Sequence, residues 1–179
     1  MNSHPSTQKQ TVWTGIVADT PLGSIWVALS EKGLVAVSLW GDRDRFARGV
    51  AQRTGCTSVF APEKVAAVTR QIGEYLRKER SEFDIPVDWS VLTPFQAEVL
   101  RAVYTIPYGR LLTYKDVAEQ IGKPKAVRAV GRANATNPMP LVIPCHRVLG
   151  ADGKLHGYSA PGGLETKAWL LRLEGSWLL

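Results

Sequence analysis

Residues 113–132, TYKDVAEQIGKPKAVRAVGR, spell two short helices around a glycine. Thr113 can cap the first, whose inward side is Val117, Ala118 and Ile121, and Gly122 ends it. Pro124 opens a second helix carrying Ala126, Val127, Arg128, Ala129, Val130 and Gly131. Two short helices with a Gly-containing turn between them read as a helix-turn-helix, or equally as two packing helices of a small α domain. Two details favour a DNA surface. The second helix is basic, with Lys125, Arg128 and Arg132. Its small residues Ala126, Ala129 and Gly131 let the backbone approach a groove closely.

Upstream, Thr93-Pro94-Phe95-Gln96 offers an N-cap, a proline at N1 and a glutamine at N3. A helix is predicted from Pro94 to Tyr104, stopping before Pro107. Before it the text is different. Thr11–Asp19, Ser24–Ser30 and Leu34–Trp40 are short runs rich in Val, Ile and Trp. Turn chemistry separates them, so they predict a β meander. Helices are predicted over Arg43–Arg53 and Glu63–Lys78, the second with Val65, Val68, Ile72 and Leu76 on one stripe. Phe83–Trp89 reads as extended, with Pro86 favouring an edge. The expected division is an N-terminal α/β domain over 1–89 and a mostly α C-terminal domain over 90–179. Its boundary falls near residues 88–93, and the first ten or so residues are expected to be frayed.

The chain has 179 residues, two cysteines, three histidines and a formal charge of +6. Residues 1–89 hold eleven Lys/Arg against ten Asp/Glu, and residues 90–179 eleven against six. Within 101–147 the count is eight basic to two acidic. Such asymmetry attracts a polyanion such as DNA, or serves solubility alone. No apolar run approaches the roughly 20 residues of a membrane span. The polar start predicts no secretory signal. No Cys-x-x-Cys or paired His spacing appears, so no metal site is expected. Cys56 and Cys145 are expected to be reduced, in a cytoplasmic protein. Cys56 reads as a spare thiol.

Downstream of the basic helix, Asn137-Pro138-Met139-Pro140 precedes an apolar run, Leu141-Val142-Ile143, and then Pro144-Cys145-His146-Arg147-Val148. The run should be buried and should deliver a cysteine and a histidine at its end. A buried thiol is ordinarily inert, and on position alone a structural cysteine is the better reading. Adjacent His146 alters that balance. A free thiol, with pKa about 8.5, is only a few per cent thiolate at pH 7. An imidazole that takes the proton removes the handicap, provided a carboxylate or carbonyl fixes its tautomer.

Ile143–Val148 resembles the active-site signature of the O6-alkylguanine-DNA alkyltransferases (methylated-DNA–protein-cysteine methyltransferases). The likeness runs in order from Thr93 to Gly175. It takes in Ile106–Gly109, Thr113-Tyr114, Arg128–Gly131, Asn137-Pro138, Gly157-Tyr158, Gly162–Leu164 and Leu170–Gly175. The β-rich first half is similar in layout to the family's ribonuclease-H-like domain. The resemblance implies a winged-helix-like C-terminal domain that repairs DNA by direct reversal. O6-alkylguanine, and O4-alkylthymine with it, would be flipped out of the duplex and its alkyl group moved irreversibly to Cys145, once per protein.

Site roles follow from the same resemblance. Cys145 would be the acceptor and His146 its base through a bridging water, with Glu174 orienting His146. Glu174 stands where a helix ends, before Gly175, a place the macrodipole makes unfavourable for a carboxylate unless something compensates. Tyr114 would donate to the departing guanine, and Asn137 would tie the helix-turn-helix to the active-site turn. Arg128 would enter the duplex in place of the flipped base, with Lys125, Ala129 and Gly131 beside it on the DNA-binding helix, in the minor groove. The pocket would be formed by Pro140, Tyr158, the carbonyls of Cys145 and Val148, and the Ser159 N–H. No metal or organic cofactor is implied. The partner would be double-stranded DNA, bound by a monomer with cooperative assembly left open, and no membrane.

The stretch Gly157–Gly163 is one or two residues longer than the family's pocket loop, which bears on Ser159 and on the size of group accepted. The N-terminal zinc ligands of some relatives are lacking. Two other classes fit parts of the pattern. One is a Cys-His hydrolase, and the other a lesion sensor or regulator in which Cys145 is structural.

Overall fold

The computed structural model describes residues 11–176. The expected frayed start lies outside the described residues. Three strands, β1 (Thr11–Thr20), β2 (Gly23–Ser30) and β3 (Gly33–Ser38), form the antiparallel meander. After α1 (Arg43–Thr54), β4 (Thr57–Phe60) adds in parallel to β1, giving the order β3-β2-β1-β4. Alternate residues of β2 serve opposite faces, as a pleated strand requires. Trp26 and Ala28 pack with Phe46 and Val50 of α1. Ile25 and Val27 pack on the other side with Val68 and Ile72 of α2 (Ala66–Leu76). The Asp42 side chain caps α1 by accepting from the Arg45 N–H at 2.8 Å.

The stripe Val65, Val68, Ile72 and Leu76 is buried as its spacing predicts. The N-terminal half departs from expectation in these respects. The second helix does not begin at Glu63: Pro62–Lys64 is a separate 3₁₀ turn, and α2 starts at Ala66. The third strand stops at Ser38, two residues short of Trp40. Residues 83–89 form no strand, only a single bridge between Leu34 and Val87 with Pro86 O accepting from the Leu34 N–H. Finally, β4 was not expected. It is four mostly exposed residues that exist because β1 offers them an edge.

The C-terminal half is helical. α3 (Pro94–Tyr104) is capped by Thr93, whose hydroxyl accepts from the Gln96 N–H at 3.3 Å. Gln96 does not turn back to close a capping box. Its side-chain amide reaches Thr136, at the far end of the basic helix, with both contacts at 3.0 Å. Next come β5 (Leu112–Thr113) and α4 (Tyr114–Gln120), which begins with a reciprocal capping box between Thr113 and Asp116. α5 (Val127–Ala135) starts three residues later than Pro124 suggested. Val117 and Ala118 are buried as expected, while Ile121 is half-buried. β6 (Val148–Leu149) pairs in parallel with β5, and α6 (Leu164–Leu173) closes the described chain.

One apolar core continues across the expected boundary, from Ile25 and Leu34 through α2 to Val99, Val103, Val130, Leu141 and Leu170. The sheet half therefore braces the segment that carries Cys145. No helix among the described residues is long and apolar enough to cross a membrane.

Candidate active site

Leu141, Val142 and Ile143 are buried, as an apolar run after two prolines should be. The chain turns there with Leu141 at φ +73°, a left-handed conformation that costs a non-glycine residue free energy and needs outside support. Asn137 supplies it. Its Nδ2 donates to Ile143 O at 2.8 Å, and its Oδ1 accepts from the Met139 N–H at 3.0 Å. Cys145, His146 and Arg147 then form one buried 3₁₀ turn. Asn134, in the last turn of α5, donates to Cys145 O at 3.1 Å and so joins the basic helix directly to this turn.

Glu174 sits at the C-cap of α6, and Gly175 follows at φ +73° as its position predicts. The carboxylate is fully buried, and its compensation is extensive. Arg147 donates through Nε at 2.9 Å and Nη2 at 2.8 Å, and His146 Nε2 lies 2.9 Å away. The Tyr75 hydroxyl donates at 2.7 Å and the Gly109 N–H at 3.3 Å. Burial alone would raise the carboxyl's pKa, but His146 and Arg147 outweigh it and lower it from 4.5 to about 2. An ionised carboxylate can only accept, so the His146 proton resides on Nε2. That leaves Nδ1 as the basic lone pair. Nδ1 is buried and takes no hydrogen bond from any described residue. Burial holds His146 below its ordinary pKa, against the pull of Glu174, so the resting imidazole is neutral.

Cys145 is 5% exposed. Burial raises its thiol pKa, while the Asn137 amide and the Lys167 ammonium pull the other way. The resting pair is therefore thiol and neutral imidazole, and the nucleophile must be made when substrate is present. Asn137, Pro140, Cys145, Tyr158 and Ser159 line one cavity of roughly 90 Å³. The Tyr158 hydroxyl is buried beside the thiol. The Ser159 hydroxyl donates to Ala135 O at 2.7 Å, which seats the pocket loop on the end of α5.

The two carbonyls expected to meet a substrate amine each already accept one bond. Asn134 binds Cys145 O, and the buried Lys167 Nζ binds Val148 O at 2.6 Å and His156 O at 3.1 Å. A carbonyl has a second lone pair, so each can still accept another donor. Tyr114 is half-buried, with its hydroxyl 3.4 Å from His156 O. Arg128, Lys125 and Ala129 are exposed on or just before α5, and Gly131 lies against the Tyr114 ring. Both thiols are free, and Cys56 Sγ sits 3.3 Å from Thr54 O.

Sequence reasoning missed Tyr75, Asn134 and Lys167. It quoted Arg147 and Gly109 without giving them a part. Tyr75 and Asn134 fall at helical positions that spacing buries, and a polar group on a buried stripe is a sign of a specific partner.

Comparison with known proteins agrees with this arrangement. Residues 94–176 match the family model described as 6-O-methylguanine DNA methyltransferase, DNA binding domain, and residues 15–89 match its ribonuclease-like domain. The chain is 51% identical over 122 residues to a methylated-DNA–protein-cysteine methyltransferase of Mycolicibacterium paratuberculosis, covering 68% of this chain and 71% of that one. It is 39% identical over 160 residues to the one from Methanosarcina acetivorans, covering 89% and 97%. Among solved structures, Mycobacterium tuberculosis OGT in complex with DNA superposes with a TM-score of 0.73 at 36% identity, covering 93% of each chain. With both halves matched and a cysteine, a histidine and a buried carboxylate gathered behind a basic helix, the chain belongs to the 6-O-methylguanine DNA methyltransferase family.

Proposed function

We infer that this protein is a methylated-DNA–protein-cysteine methyltransferase that moves an alkyl group from guanine O6 in DNA to Cys145. The observation that carries the reading is the chain from the pocket inward. Cys145 lines the cavity, His146 follows it with a free basic Nδ1, and Glu174 fixes the imidazole from the other side.

The target lies inside the base stack, so the nucleotide is flipped out at a cost of a few kcal/mol. The Cys145 proton passes to His146 Nδ1 through a bridging water. The sulfur attacks the alkyl carbon, the S–C bond forms, and the electrons of the breaking C–O6 bond go to guanine. The Tyr114 hydroxyl donates a hydrogen bond that stabilises the negative charge on the leaving base, which then takes a proton from water while His146 releases its own to water. The thioether is not reversed, so each protein acts once. Cys145 O and Val148 O accept from the base's amine through their remaining lone pairs, and Ser159 N–H meets O6. O4-alkylthymine fits the same chemistry.

The helix-turn-helix of α4 and α5 binds duplex DNA through the minor groove, with Arg128 filling the gap left by the flipped base. Lys125, Ala129 and Gly131 lie along that contact. Cation contacts to phosphate release counterions. Arg128→Ala is expected to weaken DNA binding through the lost gap-filling contact, and Lys125→Ala to lower the slope of log affinity against log salt by about 1. Fluorescence anisotropy at several salt concentrations measures both. Unchanged affinity and unchanged repair would remove Arg128 from the interface.

We assign residues 1–89 and 90–179 as two domains, the first ribonuclease-H-like and the second winged-helix-like. The antiparallel meander with a parallel fourth strand supports the first assignment, and the helix-turn-helix the second. Free thiols at Cys56 and Cys145 support residence in the reducing cytoplasm. The protein acts as a monomer, and cooperative assembly on DNA is compatible with it. The test of the activity is stoichiometry. Duplex DNA labelled on O6-methylguanine should lose label to protein until about one methyl per protein has moved. Continued turnover beyond that plateau would contradict single use.

A further inference from the structure

The cavity over Cys145 is not built by the C-terminal half alone. Its other wall is the end of β3 and the residues that follow, Val37 to Trp40. The Val37 N–H donates to Pro138 O at 2.8 Å, which seats this strand end beside the turn before Cys145. The backbone carbonyls of Trp40 and of Gly41 after it are both held. Ser38 Oγ donates to Trp40 O at 2.8 Å, and Trp26 Nε1 donates to Gly41 O at 3.1 Å. From the first turn of α1, Arg45 lays its guanidinium 3.7 Å from the centre of the indole. The Asp42 cap on the Arg45 N–H fixes that turn in place.

The indole is nevertheless 42% exposed. A large aromatic surface left open at the wall of a concave site is the kind of exposure that marks ligand contact. Because its backbone and its Arg45-covered face are already held, an aromatic ring entering the cavity meets a stacking partner with little left to order. A methyl group adds one carbon to the sulfur, whereas a benzyl group adds an aromatic ring that can meet another lining residue of the cavity.

We propose that Trp40, clamped by Arg45, is a specificity-determining wall of the alkyl pocket, contributed by the N-terminal half, that receives arylmethyl groups carried on guanine O6. The inference rests on the proposed transfer to Cys145. It gives the N-terminal half a part in selecting substrates, beyond bracing the site. It also gives a physical setting for the long Gly157–Gly163 loop, since Tyr158, Ser159 and Ala160 line the same cavity as Trp40.

The experiment compares single-turnover transfer from duplexes carrying O6-benzylguanine or O6-methylguanine. It uses the wild-type protein, Trp40→Ala, Trp40→Leu, Trp40→Phe and Arg45→Ala. Affinity for unmodified duplex is measured for each. The benzyl-to-methyl rate ratio is expected to fall about tenfold in Trp40→Ala, the scale of a lost aromatic contact. It should fall several-fold in Trp40→Leu and Arg45→Ala, and stay within about twofold in Trp40→Phe. Trp40→Leu keeps bulk and Arg45→Ala leaves the indole in place, so the test stands if Trp40→Ala does not fold. An unchanged ratio in these variants overturns the proposal. So does a parallel fall in both rates that tracks weaker DNA binding, which would make Trp40 a DNA contact. If the wild-type protein transfers neither group to Cys145, the functional reading itself fails, and that outcome is separate from the ratio.

Discussion

Exchanging Glu174 for glutamine is expected to destabilise the protein by about 3–5 kcal/mol and to slow alkyl transfer roughly 100-fold or more. The first effect follows from what the carboxylate leaves behind. The Arg147 side chain is 7% exposed and Glu174 is its only ion-pair partner among the described residues. Removing one member of a buried pair leaves an uncompensated charge, which is far costlier than losing a surface ion pair. The second effect follows from the tautomer. Glutamine can donate as well as accept, so Nε2 no longer has to carry the imidazole proton and Nδ1 no longer has to be the base.

The same carboxyl gives a pH signature. A carboxyl moved from 4.5 to about 2 contributes roughly 3 kcal/mol of stability. Because the folded value is the depressed one, that stability is fully present above pH 4.5 and is lost as pH falls toward 2. Urea unfolding of wild type across this window should show the loss, and Glu174→Gln should flatten it. An unaltered acid limb in the variant would show that Glu174 is not the group responsible.

Cys145→Ala is expected to abolish transfer entirely while leaving the fold and DNA binding in place. The substitution removes one buried sulfur and no hydrogen bond that holds the turn. Asn134 and Asn137 bind backbone carbonyls there, and those remain. Anisotropy with lesion-bearing and unmodified duplexes, run beside the methyl-transfer assay, separates binding from chemistry. A variant that still removed methyl would make Cys145 structural. A Cys-His hydrolase would show turnover of a small ester in the wild type, and a lesion sensor would keep every activity in the variant.

The structure also shows which features a sequence can carry. The limits of α3 at Pro94 and Tyr104 match the expectation because cap, proline and the following Pro107 are all local. The α2 stripe was legible from its period, and Gly175 from its place after a helix. Glu174 drew attention as a carboxylate at an unfavourable helix end, and the structure answers with Arg147, Tyr75 and His146 around it. β4 was illegible because four exposed residues have no period of their own and depend on the edge of β1. The start of α5 was misplaced because no side chain caps it. Tyr75 and Lys167 are buried polar residues of α2 and α6. Their hydroxyl and ammonium find partners 99 and 19 residues away, a pairing no local pattern encodes.

The central claim is that the alkyl group ends on Cys145 and stays there. Intact-protein mass measurement after incubation with excess O6-methylguanine duplex tests it most directly, followed by peptide mapping. The expected result is one added methyl per protein, stable to dialysis, on the peptide containing Cys145 and absent from the one containing Cys56. Loss of the lesion with no added mass, or methyl found on any other residue, would contradict the account.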